Sequence, residues 1–350
     1  MFAKHYGKLT IMIAFGLLIL ALSCGDDPLE PIIIELGGTM VVAHVPSSDA
    51  ITIDGVPDAT WDRAKKFQIV AKSATGDPAV INMKAITDST YFYLLVSWED
   101  PTKDVRPDNW EWIQEPNQPK PTPFRSGGQD FFFAIFDDGG NGNVGADCHQ
   151  MCHSIQIDTI TTVDSMRNDG AALVDTWLWK SGESDPVTRL LDMSFPAGSA
   201  SEPDVSVQET EVVIGNEDGG EPHWMHKDTL AFTEDFLYIS DTLEWRADFW
   251  PDSETVIGWP AGAMLPGYVL NDAIDLNEDE SQWEVVAKGE YDNLANRWTL
   301  EVKRKMNTGH IDDLPFVLGQ RVSCTAGVRN SPVGNSPYPH YGTEPFDIQF

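Results

Sequence analysis

The sequence predicts an all-β fold, an antiparallel β-sandwich with long loop insertions and short helices. Three observations predict it. Short runs of alternating, β-branched and aromatic residues recur between turn signals. The 28 Gly and 23 Pro are spread through the connections, as many short strands require. No long segment keeps a 3.6-residue apolar period.

In chain order, strands are expected over Thr39–Val45, Phe67–Lys72, Ala79–Ile86, Tyr91–Trp98, Asp130–Phe136 and Ala172–Lys180. Thr210–Ile214, Trp283–Tyr291, Arg297–Lys303, Gln320–Arg329 and Phe346–Phe350 complete the set. Ala59–Lys66 is the clearest short helix candidate. Two stretches are expected to be long loops inserted between strands: Pro101–Gly128, which carries six prolines, and Ser194–Phe236, rich in Glu, Asp and Gly.

Ahead of the strands lies an export signal. Lys4 and Lys8 precede the apolar run Leu9–Leu22, which is too short and wrongly flanked for a membrane span. Leu20-Ala21-Leu22-Ser23-Cys24 resembles a bacterial lipobox, so Cys24 is expected to be lipidated and to begin the mature chain. The expected organisation is therefore a lipoprotein signal peptide over 1–23, a tether over 24–38 and one elaborated β-domain over 39–350. That places the domain outside the cytoplasm of a bacterium, held to the membrane by lipid alone.

Composition narrows the function. With 55 Asp and Glu against 23 Lys and Arg, the formal charge of −32 repels polyanions, so nucleic acid is excluded as a partner. The 12 Trp and 41% hydrophobic residues suffice for a packed core, which excludes a disordered acidic tail. Neither a Gly-x-Ser-x-Gly elbow, a His-Glu-x-x-His helix, a phosphate loop nor a dinucleotide fingerprint is present, so no enzymatic activity is expected. Acidic pairs such as Asp312-Asp313 are expected by chance at this composition.

The densest chemistry is the run Cys148-His149-Gln150-Met151-Cys152-His153. It differs from the haem-attachment signature C-x-x-C-H by one added residue, expected to bulge the loop without moving the Cys-His step. Cys148 and Cys152 can supply thioethers to porphyrin vinyls, and His153 an axial imidazole. The alternatives are a loop disulfide between the two Cys, and a copper or zinc site, which so short a segment fits poorly. His223 and His226 are reserve ligands on an expected surface loop. Trp177 and Trp179 are expected in the core, Lys180 in solvent, and Cys324 as a small buried residue. Asp54, Asp58 and Asp100 suit turn and capping roles, with structural Ca²⁺ as the lesser reading.

Four blocks carry a resemblance over most of the chain. They are Ile51-Thr52-Ile53-Asp54-Gly55 with Asp58, Trp61 and Ala64; Trp98-Glu99-Asp100-Pro101-Thr102; Asp175-Thr176-Trp177-Leu178-Trp179-Lys180; and Trp298-Thr299-Leu300-Glu301-Val302 with Arg304, Thr308-Gly309 and Asp312-Asp313. In this order they resemble the haem-binding domain family related to the gamma subunit of ethylbenzene dehydrogenase, cytochrome c/DMSO reductase-like. The opening block is also similar to family-9 carbohydrate-binding-module sandwiches. The resemblance implies a haem at one end of a β-sandwich, two side-chain axial ligands, and a redox protein or oxidoreductase complex as partner. It implies His340 as the second ligand opposite His153, with Met151/His340 as the alternative pair. His340 stands where relatives carry Lys. Attachment through both Cys is the first expectation and non-covalent haem the second. Two haem-free readings stand beside it: a carbohydrate-binding module, and a disulfide- or metal-binding surface lipoprotein.

Overall fold

The computed structural model describes residues 38–49, 51–72, 78–118, 121–152, 168–198, 202–203, 213–218, 222–226, 235–244, 261–272, 281–330 and 341–350. The expected leader with Cys24, and His153 and His340, lie outside this set.

The first strands are β1 (Thr39–Val41), β2 (Ala43–His44), β3 (Phe67–Lys72), β4 (Ala79–Thr87) and β5 (Tyr91–Glu99). Next come β6 (Asn109–Ile113), β7 (Thr122–Ser126), β8 (Phe131–Asp137), the helix α1 (Cys148–Cys152), β9 (Val174–Lys180) and β10 (Leu191–Phe195). Short strands follow: β11 (Glu202–Pro203), β12 (Val213–Gly215), β13 (Trp224–His226), β14 (Leu237–Tyr238), β15 (Thr242–Glu244), β16 (Met264–Leu265) and β17 (Tyr268–Leu270). The last are β18 (Val286–Asp292), β19 (Arg297–Lys305), β20 (Arg321–Arg329), β21 (Tyr341–Thr343) and β22 (Phe346–Gln349).

A 14-stranded sheet runs β11-β10-β9-β8-β20-β21-β3-β4-β5-β19-β18, with β1, β2 and β22 attached beside this path. Its two halves face each other across one apolar core, where Trp98 of β5 packs on Phe132 of β8 and Trp179 of β9. The all-β sandwich expected from the strand pattern is the observed fold. Pairing is antiparallel except at short contacts such as β1 with β22 and β2 with β4. Thr39–Val45 was expected as one strand. It divides at Val42 because its halves pair with different strands, β22 and β4.

Both expected loop insertions contain sheet. Within Pro101–Gly128, Trp110 and Trp112 alternate inward on β6 while β7 pairs with it as an outer strand. An outer strand tolerates Pro123, which has no N–H to give. The two tryptophans join Met225, Leu237, Leu265 and Val269 in a second small core. Asn216 organises it: Nδ2 donates to Trp224 O and Pro266 O, while Oδ1 accepts from His223 N and Trp224 N. The helix candidate Ala59–Lys66 is a 3₁₀ turn over Ala59–Arg63 that buries Trp61.

Buried polar contacts pin the layers together. Trp61 Nε1 donates to Glu301 Oε1 at 2.7 Å, and Glu301 Oε2 accepts from the N–H groups of Asp54 and Gly55. Gly55 has φ +83°, and a Cβ there would lie 2.8 Å from Glu290 Cβ, so glycine is required on both counts. Trp298 Nε1 donates to Asp130 Oδ2, and Tyr291 Oη to Asp100 O. Asp185 accepts from Trp179 Nε1, Gly289 N and Lys288 Nζ.

Candidate cofactor-binding site

The sheet formed by β8, β9 and β10 is apolar on both faces, because its strands alternate between two cores. Phe132, Phe136, Trp177 and Trp179 face the sandwich interior. Phe133, Ile135, Val174 and Phe195 face the other way, where Ala146, Cys148 and Met151 pack on them. β8 and β9 carry large apolar residues at consecutive positions, as expected of strands covered on both sides.

α1 forms the lid of this second core. The carbonyl of Asp147 accepts from both Gln150 N and Met151 N, which starts the helix. Positions three apart on a helix share a face, and Cys148 and Met151 are accordingly buried while Gln150 is exposed. The sequence led us to expect that the added residue of the C-x-x-x-C spacing bulges a loop; instead it completes a helical turn. Four residues is the spacing at which a helix brings two positions back to one side.

The chain on either side of this lid is held by a pair of buried amides. Asn141 Nδ2 donates to Asn168 Oδ1 at 3.0 Å and to Gly145 O at 2.8 Å, and Asn141 Oδ1 accepts from Ala172 N. Asn168 Nδ2 donates to Ala172 O and Phe195 O, and Asn168 Oδ1 also accepts from Gly170 N. The segment leaving β8 and the segment entering β9 are thus tied to each other and to β10. A Cβ at Gly170 would lie 1.9 Å from Asn141 Oδ1, so this clasp requires glycine there. Asp137, at the end of β8, accepts from Asn141 N, and burial raises its carboxyl above the ordinary range. Nothing in the sequence marked these two asparagines apart from their turn-forming surroundings.

Beneath α1, Thr325 of β20, Ile135 of β8 and Thr176 of β9 stand in one row across the sheet. The hydroxyls of Thr176 and Thr325 are buried and have no hydrogen-bond partner among the described residues. β21 also lies beside α1, with Cα atoms within 8 Å. Its first residue, Tyr341, directly follows His340.

The other sequence candidates fall elsewhere. Trp177, Trp179 and Cys324 are buried in the interior core, and burial pushes the Cys324 thiol well above its usual range. Lys180 pairs with Glu183 at 2.8 Å. His223 and His226 lie in and beside β13, the strand that carries Met225 into the small core of the insertions. Asp54 and Asp58 accept backbone N–H groups of Val56 and Thr52, and Asp100 that of Thr102. These are turn and capping contacts. The side chains of His149 and Cys152 are outside the described set.

Residues 55–331 match the family described as ethylbenzene dehydrogenase. The chain belongs to the ethylbenzene dehydrogenase family. The match spans β3 to β20, and with them α1 and the buried contacts between the layers. The chain is also similar to solved structures of carbohydrate-binding proteins. One is a family 9 carbohydrate-binding module from Caldicellulosiruptor kristjanssonii in complex with glucose, at 8% identity and TM-score 0.33, over 89% of this chain and 95% of that one. Another is a putative carbohydrate-binding protein from Bacteroides uniformis ATCC 8492, at 7% identity and TM-score 0.36, over 89% of this chain and 100% of that one. No curated protein matches the chain.

Proposed function

We propose that this member of the ethylbenzene dehydrogenase family is a haem-carrying electron-transfer protein. It is held outside the cytoplasm by a lipid on Cys24 and works beside an oxidoreductase complex. The observation that carries the reading is the placement of Cys148 and Met151, buried on the inner, apolar face of the lid, which lies beside β21. In sequence, β21 follows His340 directly. This supports one site built from the Cys148–His153 run and the His340 segment.

The residues present fit the group. Cys148 and Cys152 would hold the porphyrin by adding their S–H bonds across its vinyls, and His153 with His340 would hold the iron. Phe131, Phe133, Ile135 and Phe195 would keep water from the ring edge. When bound, haem supplies a one-electron iron couple whose potential follows axial ligand and burial. Met151 offers the alternative thioether ligand, and its burial beside Cys148 favours keeping that reading. The carbohydrate reading lacks a platform in the described tryptophans. Trp61, Trp98, Trp110, Trp112, Trp177, Trp179, Trp283 and Trp298 are buried, and the half-buried Trp224 packs against the small core with His223 edge-on to it, so none of the nine presents a free face on which a sugar could stack.

Purified mature protein is expected to show a pyridine-haemochrome α-band and the added mass of one haem, which Cys148→Ala with Cys152→Ala abolishes. His340→Ala is expected to convert a low-spin to a high-spin spectrum, and His153→Ala likewise under the first ligand pair. Haem-free protein that binds glycans would overturn the proposal.

A further inference from the structure

The face of β4, β5 and β19 that turns away from the interior core carries a concavity. Met83 of β4, Val96 of β5 and Trp298 of β19 point into that core. Alternation therefore turns Asn82 and Lys84, Leu95 and Ser97, and Arg297 to the opposite face. The register sets Asn82 beside Ser97 and Lys84 beside Leu95, with Arg297 diagonal to Ser97 and opposite Glu99. Together with Lys66, which precedes β3, these side chains line a cavity of about 120 Å³.

Three of the lining residues are cations, in a chain with 55 Asp and Glu against 23 Lys and Arg. Among the described residues, no carboxylate lines the cavity itself. Two stand at its rim and offset the cations weakly. Asp62 lies 3.8 Å from Lys84 and is 87% exposed, and Glu99 lies 3.6 Å from Arg297 and is 83% exposed. Ion pairs so open to water contribute little. The guanidinium of Arg297 is the least satisfied group. Its contact with Glu99 is too long for a hydrogen bond, and its Nε is buried with no partner among the described residues. A buried donor left without an acceptor carries a desolvation cost, which an acceptor in the cavity removes. The other donors are held in place. Lys84 Nζ donates to Trp61 O at 3.0 Å, which fixes its ammonium at the cavity wall. Asn82 Oδ1 accepts from Gln68 Nε2 at 2.8 Å, which orients the amide, and Asn82 Nδ2 makes only a 3.5 Å contact with Ser97 O.

We infer that this cavity is a binding site for a small oxyanion, a phosphate or carboxylate group. The donor set selects that chemistry. A guanidinium offers parallel N–H bonds to two oxygens of one group, and the two ammonium groups add point charges. Asn82 and Ser97 add neutral hydrogen bonds. A volume of about 120 Å³ holds one such group, free or at the end of a longer molecule. The inference does not rest on haem.

Inorganic phosphate and acetate, titrated calorimetrically in separate arms into purified mature protein at low ionic strength matched with chloride, should reveal one saturable site per chain for at least one of the two anions. Tighter phosphate marks a phosphoryl ligand, and tighter acetate a carboxylate. Arg297→Gln should weaken that binding at least about 10-fold, and Lys66→Gln should weaken it less. Arg297→Lys keeps the charge and loses the fork, so it should recover only part of the loss. Lys72→Gln removes an exposed cation paired with Glu344 and should bind as the wild type does. Without anion all four variants should melt as the wild type does, which separates loss of the site from loss of the fold. Absence of saturable heat with both anions would overturn the site. So would binding that survives Arg297→Gln undiminished, or that Lys72→Gln weakens equally, since either marks diffuse attraction to surface charge.

Discussion

Asn168 shows how much of a candidate site can hang on one buried amide. Its side chain bridges Ala172, Phe195, Gly170 and Asn141, and a truncation leaves buried carbonyls and N–H groups on three segments without partners. Asn168→Ala should therefore cost about 3 kcal/mol in urea unfolding. An unchanged midpoint would mean that water takes over its contacts. The loss should appear before global unfolding as faster amide exchange in α1, because the clasp holds both sides of that lid.

At the scale of elements, the four blocks that carry the family resemblance are where the two layers are fastened. The Asp54-Gly55 turn and Trp61 meet Glu301 of β19, Trp98 meets Phe132 and Trp179, Trp298 meets Asp130, and Asp175 of β9 meets Arg304. These blocks lie far apart in sequence, so only the closed sandwich brings each residue to its partner. The layers also touch where β18 crosses β9. A Cβ at Gly289 would lie 2.4 Å from Trp179 Cζ2. Gly289→Ala should thus overpack the core and lower stability by about 1–3 kcal/mol. Trp179→Phe removes the indole donor to Asp185 and is also destabilising. Because the smaller ring relieves the clash, the double variant should lose less than the sum of the two, and a strictly additive cycle would refute the contact.

For the whole molecule, acidity sets the pH dependence of stability. Burial raises Asp100 to about 6 and Asp130 to about 8, where the two carboxyls face each other, and raises Asp175 to about 6 and Glu284 to about 8. Each folded-state value lies above the ordinary carboxyl range, so the folded chain binds these protons more tightly than the unfolded chain. The stability they contribute is fully present below about pH 4 and is lost as pH rises through 6 to 8. The urea midpoint should fall steadily between about pH 5 and 8, and Glu284→Gln should flatten the upper part of that fall. A midpoint that rises over this range would show that the acids are ionised in the folded state. The overall charge of −32 adds self-repulsion in the same direction.

By itself the sequence determined the all-β class, most strand positions and the family. These rest on short-range alternation and on local blocks, both readable along the chain. It also placed Cys148, Met151 and Cys152 in one short run, but not that they form a helical turn, since five residues carry too little period to be distinguished from a loop. Asp313 looked like chance acidity, and Asp175 and Arg304 stood only as members of two separate blocks. Only the tertiary structure decided that they share one buried cluster, that two asparagines clasp the lid, and that α1 lies beside β21. Each of these is a contact between residues distant in sequence, set by how the sheet closes on itself.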